Sequence, residues 1–328
     1  MIPERYELAG SDLAITPMGV GTWAWGDRST WGMGGYDRSL TVDSIREAWA
    51  ASIDAGIRLF DTAEIYGRGE SERIIGSLLA EDPARGARVV VATKFFPSPR
   101  KLLVRRSLLQ AVRGSLTRLG LDRVDLYQIH GPISLRSHAA LADALAAVHQ
   151  AGLVRAVGVS NYSIGEMQSI AAQLERRGVR LATNQIEFSL LRRAPETGGL
   201  LAACRDLGVV PLAYSPIGQG RLTGKYSAAH PPPGRRTFSS HPMTTVDEVV
   251  ATLGRIGDRH DGRSPSQVAL NWVMAKGAVP IPGAKNRAQA EENAGALGWS
   301  LDEDDVAELD EAALPGVRSL QARFWQHG

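Results

Sequence analysis

Short runs of almost unbroken apolar residues recur along the chain: MGVG at 18–21, IRLF at 57–60, VVVAT at 89–93, VDLYQI at 124–129, VRAVGV at 154–159, LATNQI at 181–186, VVPLA at 209–213 and AVPI at 278–281. Runs so short and so uniformly apolar predict parallel strands covered on both faces. The intervening segments keep a helical period instead. Leu108, Val112, Leu116 and Leu119 share one helix face, as do Leu141, Leu145 and Val148. Several of these helices run into a glycine at the position of a left-handed cap, at Gly56, Gly120, Gly152, Gly178, Gly208 and Gly277. Eight strands alternating with helices predict an α/β fold of the (β/α)8 TIM-barrel type, with a doubly wound open sheet as the alternative. Residues 1–16 predict a short β-hairpin plugging one end, and 244–260 and 302–313 predict two additional helices. The last interval, from 209 to 278, is 69 residues long and contains the Pro/Gly-rich stretch 216–243. A loop of that length is usually a lid or a binding loop. With no interdomain linker, the chain reads as a single domain over 1–328, although its length alone would allow two.

The polar residues are placed where a barrel would use them. The second strand ends in Asp61, the third in Lys94, the fourth in His130 and the fifth in Ser160 and Asn161; the sixth reaches Gln185 and Glu187, and the seventh ends in Tyr214. All such ends converge on one mouth of a barrel, where active sites are built. Taken singly, each has an ordinary reading: Asp61 as a turn or helix cap, Tyr66 as a packing tyrosine in IYGRGE, His130 as a satisfied histidine before Gly-Pro. Lys94 resists that treatment, because a lysine at the end of a buried strand needs a partner, and Asp61 offers one.

Composition narrows the field. The 44% hydrophobic and 22% charged residues are those of an ordinary globular protein, and a net charge of +2 gives no field for nucleic acid or anionic membrane. Cys204 is the sole cysteine, so neither an internal disulfide nor a cysteine-based zinc site can form. The seven histidines show no HxH or HExxH spacing, and no metal is expected. Ser160 in GVSNY is not a nucleophile elbow, and a P-loop is absent. Gly19-Val-Gly21-Thr-Trp-Ala24 matches a dinucleotide fingerprint, but Trp23, Trp25 and Gly26 fall where its helix should begin. No apolar run is long enough for a membrane span, and no secretory leader is visible, so a cytoplasmic location is expected.

The segments DTAEIYG (Asp61, Tyr66), ATKF (Lys94) and LYQIH (His130) resemble the aldo-keto reductases, and GVSN at 158–161, NQIEFSLL at 184–191, AYSPIGQGRLTGKY at 213–226 and IPGAKNRAQAEEN at 281–293 continue the resemblance in order. It implies a NADPH-dependent enzyme that reduces aldehydes or ketones to alcohols, with NADPH preferred over NADH. In the implied mechanism Tyr66 is the general acid, Lys94 favours its phenolate, Asp61 holds Lys94, and His130 orients the carbonyl. It implies a nicotinamide site of Ser160, Asn161, Gln185 and Tyr214, with Gly21, Thr22, Trp23 and Asp61 beside it. Ser215, Pro216, Ile217, Gly218, Gly220, Leu222 and Lys225 would face the pyrophosphate. Ile281, Pro282, Gly283, Ala284, Lys285, Gln289, Glu292 and Asn293 would face the adenosine. Two departures stand out. Gln289 replaces an arginine often found there, so a 2′-phosphate would rest mainly on Lys285 and Arg287; Gly131 replaces a bulkier residue and predicts a wider substrate side. Trp25, Trp31, Phe324 and Trp325 could line that side, together with Tyr66 and His130. The expected partner is a small-molecule carbonyl compound, and the protein is expected to be a monomer or weak homo-oligomer. A slow-turnover, cofactor-binding redox sensor is the alternative, and a metal-dependent hydrolase a remoter one.

Overall fold

A computed structural model describes residues 2–26, 40–233, 238–317 and 324–328. Eight parallel strands lie in sequence order: β3 (Gly19–Gly21), β4 (Leu59–Asp61), β5 (Val90–Phe95), β6 (Val124–Ile129), β7 (Val154–Ser160), β8 (Leu181–Glu187), β9 (Val210–Tyr214) and β10 (Val279–Pro280). The ring closes where Gly21 bridges Gly283 in parallel and its amide donates to the Pro282 carbonyl at 3.0 Å. This is the (β/α)8 barrel. All six cap glycines have left-handed φ, between 65° and 94°. The antiparallel hairpin β1 (Tyr6–Glu7) and β2 (Ala14–Ile15) precedes the ring, and the two extra helices are Met243–Arg259 and Glu303–Ala312. Those helices are joined by Arg259–Asp305 at 2.6 Å and Arg255–Glu308 at 2.9 Å.

Alternation along each strand explains the interior. Residues two apart point to the same face, so Leu59, Val90, Ala92, Leu126, Ala156, Val210, Leu212 and Val279 fill the lower half of the barrel. Leu8, Leu13 and Ile15 of the hairpin segment join them and stop that end. Their alternates, such as Phe60, Val91, Tyr127, Val157 and Ile186, face outward into a second core under the helices. Moving two residues farther along the inward rows of β4, β5, β6 and β9, the apolar layer gives way to Asp61, Lys94, Gln128 and Tyr214, and Gln185 of β8 stands beside them. The pairing shifts between β7 and β8, where Val157 faces Leu181 but Gly158 faces Thr183, leaving Ala182 as an extra residue. Gly158 is needed here, since a Cβ would lie 2.1 Å from Thr183 Oγ1 and 3.0 Å from Gln128 Cγ. Its absence lets the Gln128 side chain cross the interior toward β4.

Candidate active site

Asp61, Lys94, Tyr66 and His130 meet at the C-terminal mouth of the ring. Lys94, fully buried, donates from Nζ to Asp61 Oδ2 at 2.5 Å and to the Thr62 carbonyl at 2.8 Å, and lies 3.4 Å from the Tyr66 hydroxyl. Asp61 accepts two further bonds on Oδ1, from Gln185 Nε2 at 2.8 Å and Gln128 Nε2 at 3.1 Å. Gln128 was not anticipated, although its place between inward-facing Leu126 and His130 could have revealed it. A second buried carboxylate, Glu72, lies behind the pair, accepting from Thr93 Oγ1 and Arg118 Nε, each at 2.6 Å. Thr22, whose hydroxyl lies within hydrogen-bonding reach of the Asp61 carbonyl and of Ser71 Oγ, is fully buried. Its side chain therefore braces the strand end, as do its backbone N–H, donated to the Asp61 carbonyl at 2.9 Å, and its carbonyl, which accepts from Ser71 Oγ at 3.0 Å.

The electrostatics depart from expectation. Proximity of Lys94 predicts a lowered Tyr66 pKa. Instead burial, followed by the charge of Asp61 and by Tyr214, holds the Tyr66 hydroxyl well above its ordinary value. Desolvation disfavours the phenolate more than the ammonium, already engaged by Asp61, can favour it. Burial likewise lowers Lys94 against the opposing pull of Asp61 and Glu72. His130, only 7% exposed, is held well below its usual value by burial and then by the Lys94 charge, so its ring is neutral. His130 Nδ1 has no hydrogen-bond partner among the described residues.

Around this centre, Tyr214 donates to Asn161 Oδ1 at 2.9 Å, Asn161 Nδ2 donates to Ser160 Oγ at 3.1 Å, and Ser160 donates to the Gln185 carbonyl at 2.9 Å. The four residues assigned to a nicotinamide thus form one connected patch. Beyond it, Ser215, Gly218, Gln219, Gly220 and Gly224 all have left-handed φ, curling the turn Gly218–Thr223 into a concave backbone. A Cβ on Gly220 would meet nothing closer than the Tyr226 ring at 3.6 Å, so that surface is open. Pro216 is buried and Ile217 half-buried; the Leu222 side chain lies in the core, and exposed Lys225 sits 5.7 Å over the Tyr226 ring. Arg221, which the sequence did not mark, ties the turn to the excursion by donating to the carbonyls of Gly218, Phe238 and Ser239 at 2.6–2.8 Å.

Across the seam, Gly21 adjoins Ile281, Pro282 and Gly283, while the Trp23 ring meets Phe238 edge-on at 6.3 Å. Lys285 donates its backbone N–H to Gln289 Oε1 at 3.0 Å, and Asn293 Nδ2 donates to the Gly283 carbonyl at 3.2 Å. Glu292 is engaged by Ser264 and Ser266, the latter at 2.6 Å, so its carboxylate braces the segment.

Two substrate-side expectations are corrected. Trp25 does not line the pocket: it is 3% exposed, stands 6.1 Å from the Phe60 ring and donates Nε1–H to the Ala284 carbonyl at 2.7 Å. Gly131 does not widen the pocket, because Trp325 fills the space beside it. Trp31 lies outside the described residues. Phe324 is exposed, whereas Trp325 packs at the mouth as expected.

Residues 17–314 match the model of the aldo/keto reductase family. The chain is 38% identical over 327 residues to a chloroplastic pyridoxal reductase of Arabidopsis thaliana, covering 96% of this chain and 87% of that protein. It is 31% identical to a NADH-specific methylglyoxal reductase of Escherichia coli, covering 94% and 98%. Among solved structures it resembles the glycerol dehydrogenase of Gluconobacter oxydans, with a TM-score of 0.79, 28% identity and coverage of 97% and 98%. No described helix is long and apolar enough to cross a membrane.

Proposed function

The chain belongs to the aldo/keto reductase family of oxidoreductases, and from that premise we propose that it reduces an aldehyde to a primary alcohol with NADPH, using Tyr66, Lys94, Asp61 and His130. The observation that carries this reading is the convergence of the Tyr66 hydroxyl, the Lys94–Asp61 pair and a neutral His130 at one end of the barrel. A bound reduced nicotinamide supplies the hydride. The connected Ser160, Asn161, Gln185 and Tyr214 patch fits its ring and amide, and the left-handed turn at 218–220 fits a diphosphate.

The chain's own residues then manage charge and proton. As the carbonyl carbon accepts the hydride, the π pair moves onto oxygen, which becomes basic. Tyr66 holds its proton until that moment because its pKa is high, and gives it from Oη to the oxygen. The phenolate left behind lies beside the Lys94 ammonium, whose position is fixed by Asp61 and the Thr62 carbonyl. His130, held neutral by burial, donates a ring N–H to the same oxygen. The ring's tautomer is set by that contact.

NADPH over NADH rests on Lys285, at the far side of the seam, as the cation for a 2′-phosphate. A NADH-specific relative makes the opposite preference the outcome to test against. The relative named for pyridoxal and the aromatic mouth favour a flat aldehyde. The test is cofactor oxidation with NADPH and NADH against pyridoxal, benzaldehyde, methylglyoxal and sugars. Turnover of aldehydes with NADPH is expected, and Lys285→Ala should weaken NADPH roughly 10-fold while leaving NADH within about twofold. Cofactor binding without turnover of any carbonyl would favour a redox-sensing role and overturn the reading.

A further inference from the structure

The outer wall of the barrel carries a groove that its own fold does not fill. It lies between the helices Val104–Leu119 and His138–Gln150, with a volume of about 840 Å³. Along the second helix its lining runs from Arg136 to Gln150, about 20 Å at the rise of an α-helix. Leu109 and the small side chains of Ala140 and Ala147 form its floor. At the end nearer the barrel mouth, Leu102, Leu103 and Leu135 are 55%, 70% and 73% exposed, half of the large hydrophobic residues so exposed among the described residues. The loop 96–103 that presents the first two is anchored: Phe96 donates its N–H and Lys101 its Nζ to Glu64 Oε1, at 2.7 and 3.1 Å.

Charge gathers on the same face. Residues 96–150 contain eight Lys and Arg against three Asp, a net +5, whereas the whole chain carries +2, so the rest of it is net negative. Arg105, Arg106 and Arg136 border the groove, are exposed, and meet no carboxylate among the described residues. The fold itself does not call for them. Arg105 and Arg106 stand in the first turn of their helix, where the dipole disfavours a cation, and Leu103 at its N-cap offers no side-chain acceptor. Asp143, the one carboxylate among the described lining residues, already holds Arg177 at 2.5 Å.

We propose that this groove docks an acidic amphipathic helix of a partner protein. Its apolar side chains lie on Leu102, Leu103 and the alanine floor, and its carboxylates meet Arg105, Arg106 and Arg136. Exposed apolar surface rimmed by polar groups marks such contacts, and a groove between two helices is shaped for a third. The unpaired arginines fix the sign of the partner's charge. A second copy of this chain fits less well, because a two-fold contact sets the same arginines against each other. A bilayer also fits less well, because the apolar residues line a trough that ends in Gln150 and the Arg177–Asp143 pair. The occupant rests against the loops that follow Lys94 and His130, at the rim of the barrel mouth.

The probe is a dye-labelled synthetic helical peptide of about 14 residues, with Leu along one face and Glu on both flanks. Titrated with the full chain and followed by fluorescence anisotropy, it should bind with a micromolar Kd that rises as salt is added. Arg105→Glu combined with Arg106→Glu should weaken it roughly 30-fold, and Leu103→Ser roughly 5-fold. Ala147→Glu keeps a good helix former but puts a like charge on the groove floor, and should weaken binding at least as much as the double arginine change. Melting temperatures should stay near wild type, because every altered side chain is exposed or half-buried. Failure of the peptide to bind would overturn the site. So would equally tight binding of a peptide with Gln in place of Glu, or binding indifferent to Leu103→Ser and Ala147→Glu. Stronger capture by phosphatidylserine vesicles than by the peptide would make the face a membrane contact instead. A concentration-dependent dimer dissolved by Leu103→Ser would make it an interface between copies, and either result replaces the proposal. None of these outcomes touches the reductase reading.

Discussion

The two halves of the barrel interior are made from the same strands and differ only in which residue occupies the next inward position. Below, Leu59, Ala92, Leu126 and Leu212 fill space, and their worth is volume. Two residues farther on stand Asp61, Lys94, Gln128 and Tyr214, and their worth is partnership: Asp61 satisfies three donors, and no change at one member leaves the others indifferent. The lower half can trade residues of similar size with modest loss. The upper half cannot, because any vacancy there strands a charge or an amide.

The largest break of this contrast should come from Tyr66→Phe. It removes one hydroxyl and no packing, and turnover should fall by about 10²–10⁴, the usual contribution of a positioned acid. Cofactor affinity, followed by fluorescence titration, and the melting temperature should stay near wild type. Next in size, Lys94→Met leaves the Asp61 carboxylate without its cation and should cost about 3–5 kcal/mol of stability as well as activity. Leu126→Ala, two residues before Gln128, should cost a similar ~2–5 kcal/mol through its cavity, yet leave turnover per folded molecule nearly unchanged. Urea unfolding alongside kinetics separates the two, and equal activity losses would erase the distinction between the halves.

A pH series sharpens it further. His130 is held below its usual pKa in the folded state, so below about pH 6.5 the unfolded chain binds a proton that the native one refuses. Stability conferred above that pH is therefore lost as pH falls, by up to about 1.4 kcal/mol per unit from this group. His130→Asn should flatten that part of the profile, measured by urea unfolding at pH 7.5 and 5.5; an unchanged slope would mean that the imidazole is not held neutral. The smallest effect belongs outside the ring: Arg46→Ala removes an exposed pairing with Asp43 and Glu81 and should change neither melting temperature nor activity measurably.

Much of this architecture was legible in the sequence for a local reason. Strands covered on both faces must be apolar throughout, so the eight runs marked themselves, and helices ending in left-handed turns marked themselves by glycine. The strand-end residues followed, because a barrel sends all such ends to one place. What stayed hidden depends on contacts between distant parts of the chain. Nothing near Gly131 shows that residue 325 fills its space. Nothing near Trp25 shows that its indole N–H finds the Ala284 carbonyl instead of the pocket. Glu187 stood at a strand end, but its role required knowing where Ser239 and Gln326 fall. The Tyr66 pKa went the other way because the sequence shows a neighbouring cation and not the depth of burial.

The seam between β3 and β10 bears on how the ring assembles. β10 is two residues long and one of them, Pro280, has no N–H to offer, so closure relies on Gly21 finding Pro282 and Gly283. Contacts so distant along the chain form late in folding, after the locally connected strands β4 to β8. The seam is therefore the place where the native ring should breathe first. The segments assigned to the cofactor, 21–23 and 281–285, flank it on both sides. A dinucleotide held across them would act as a clasp, protecting the Gly21 amide from exchange in proportion to its excess over Kd.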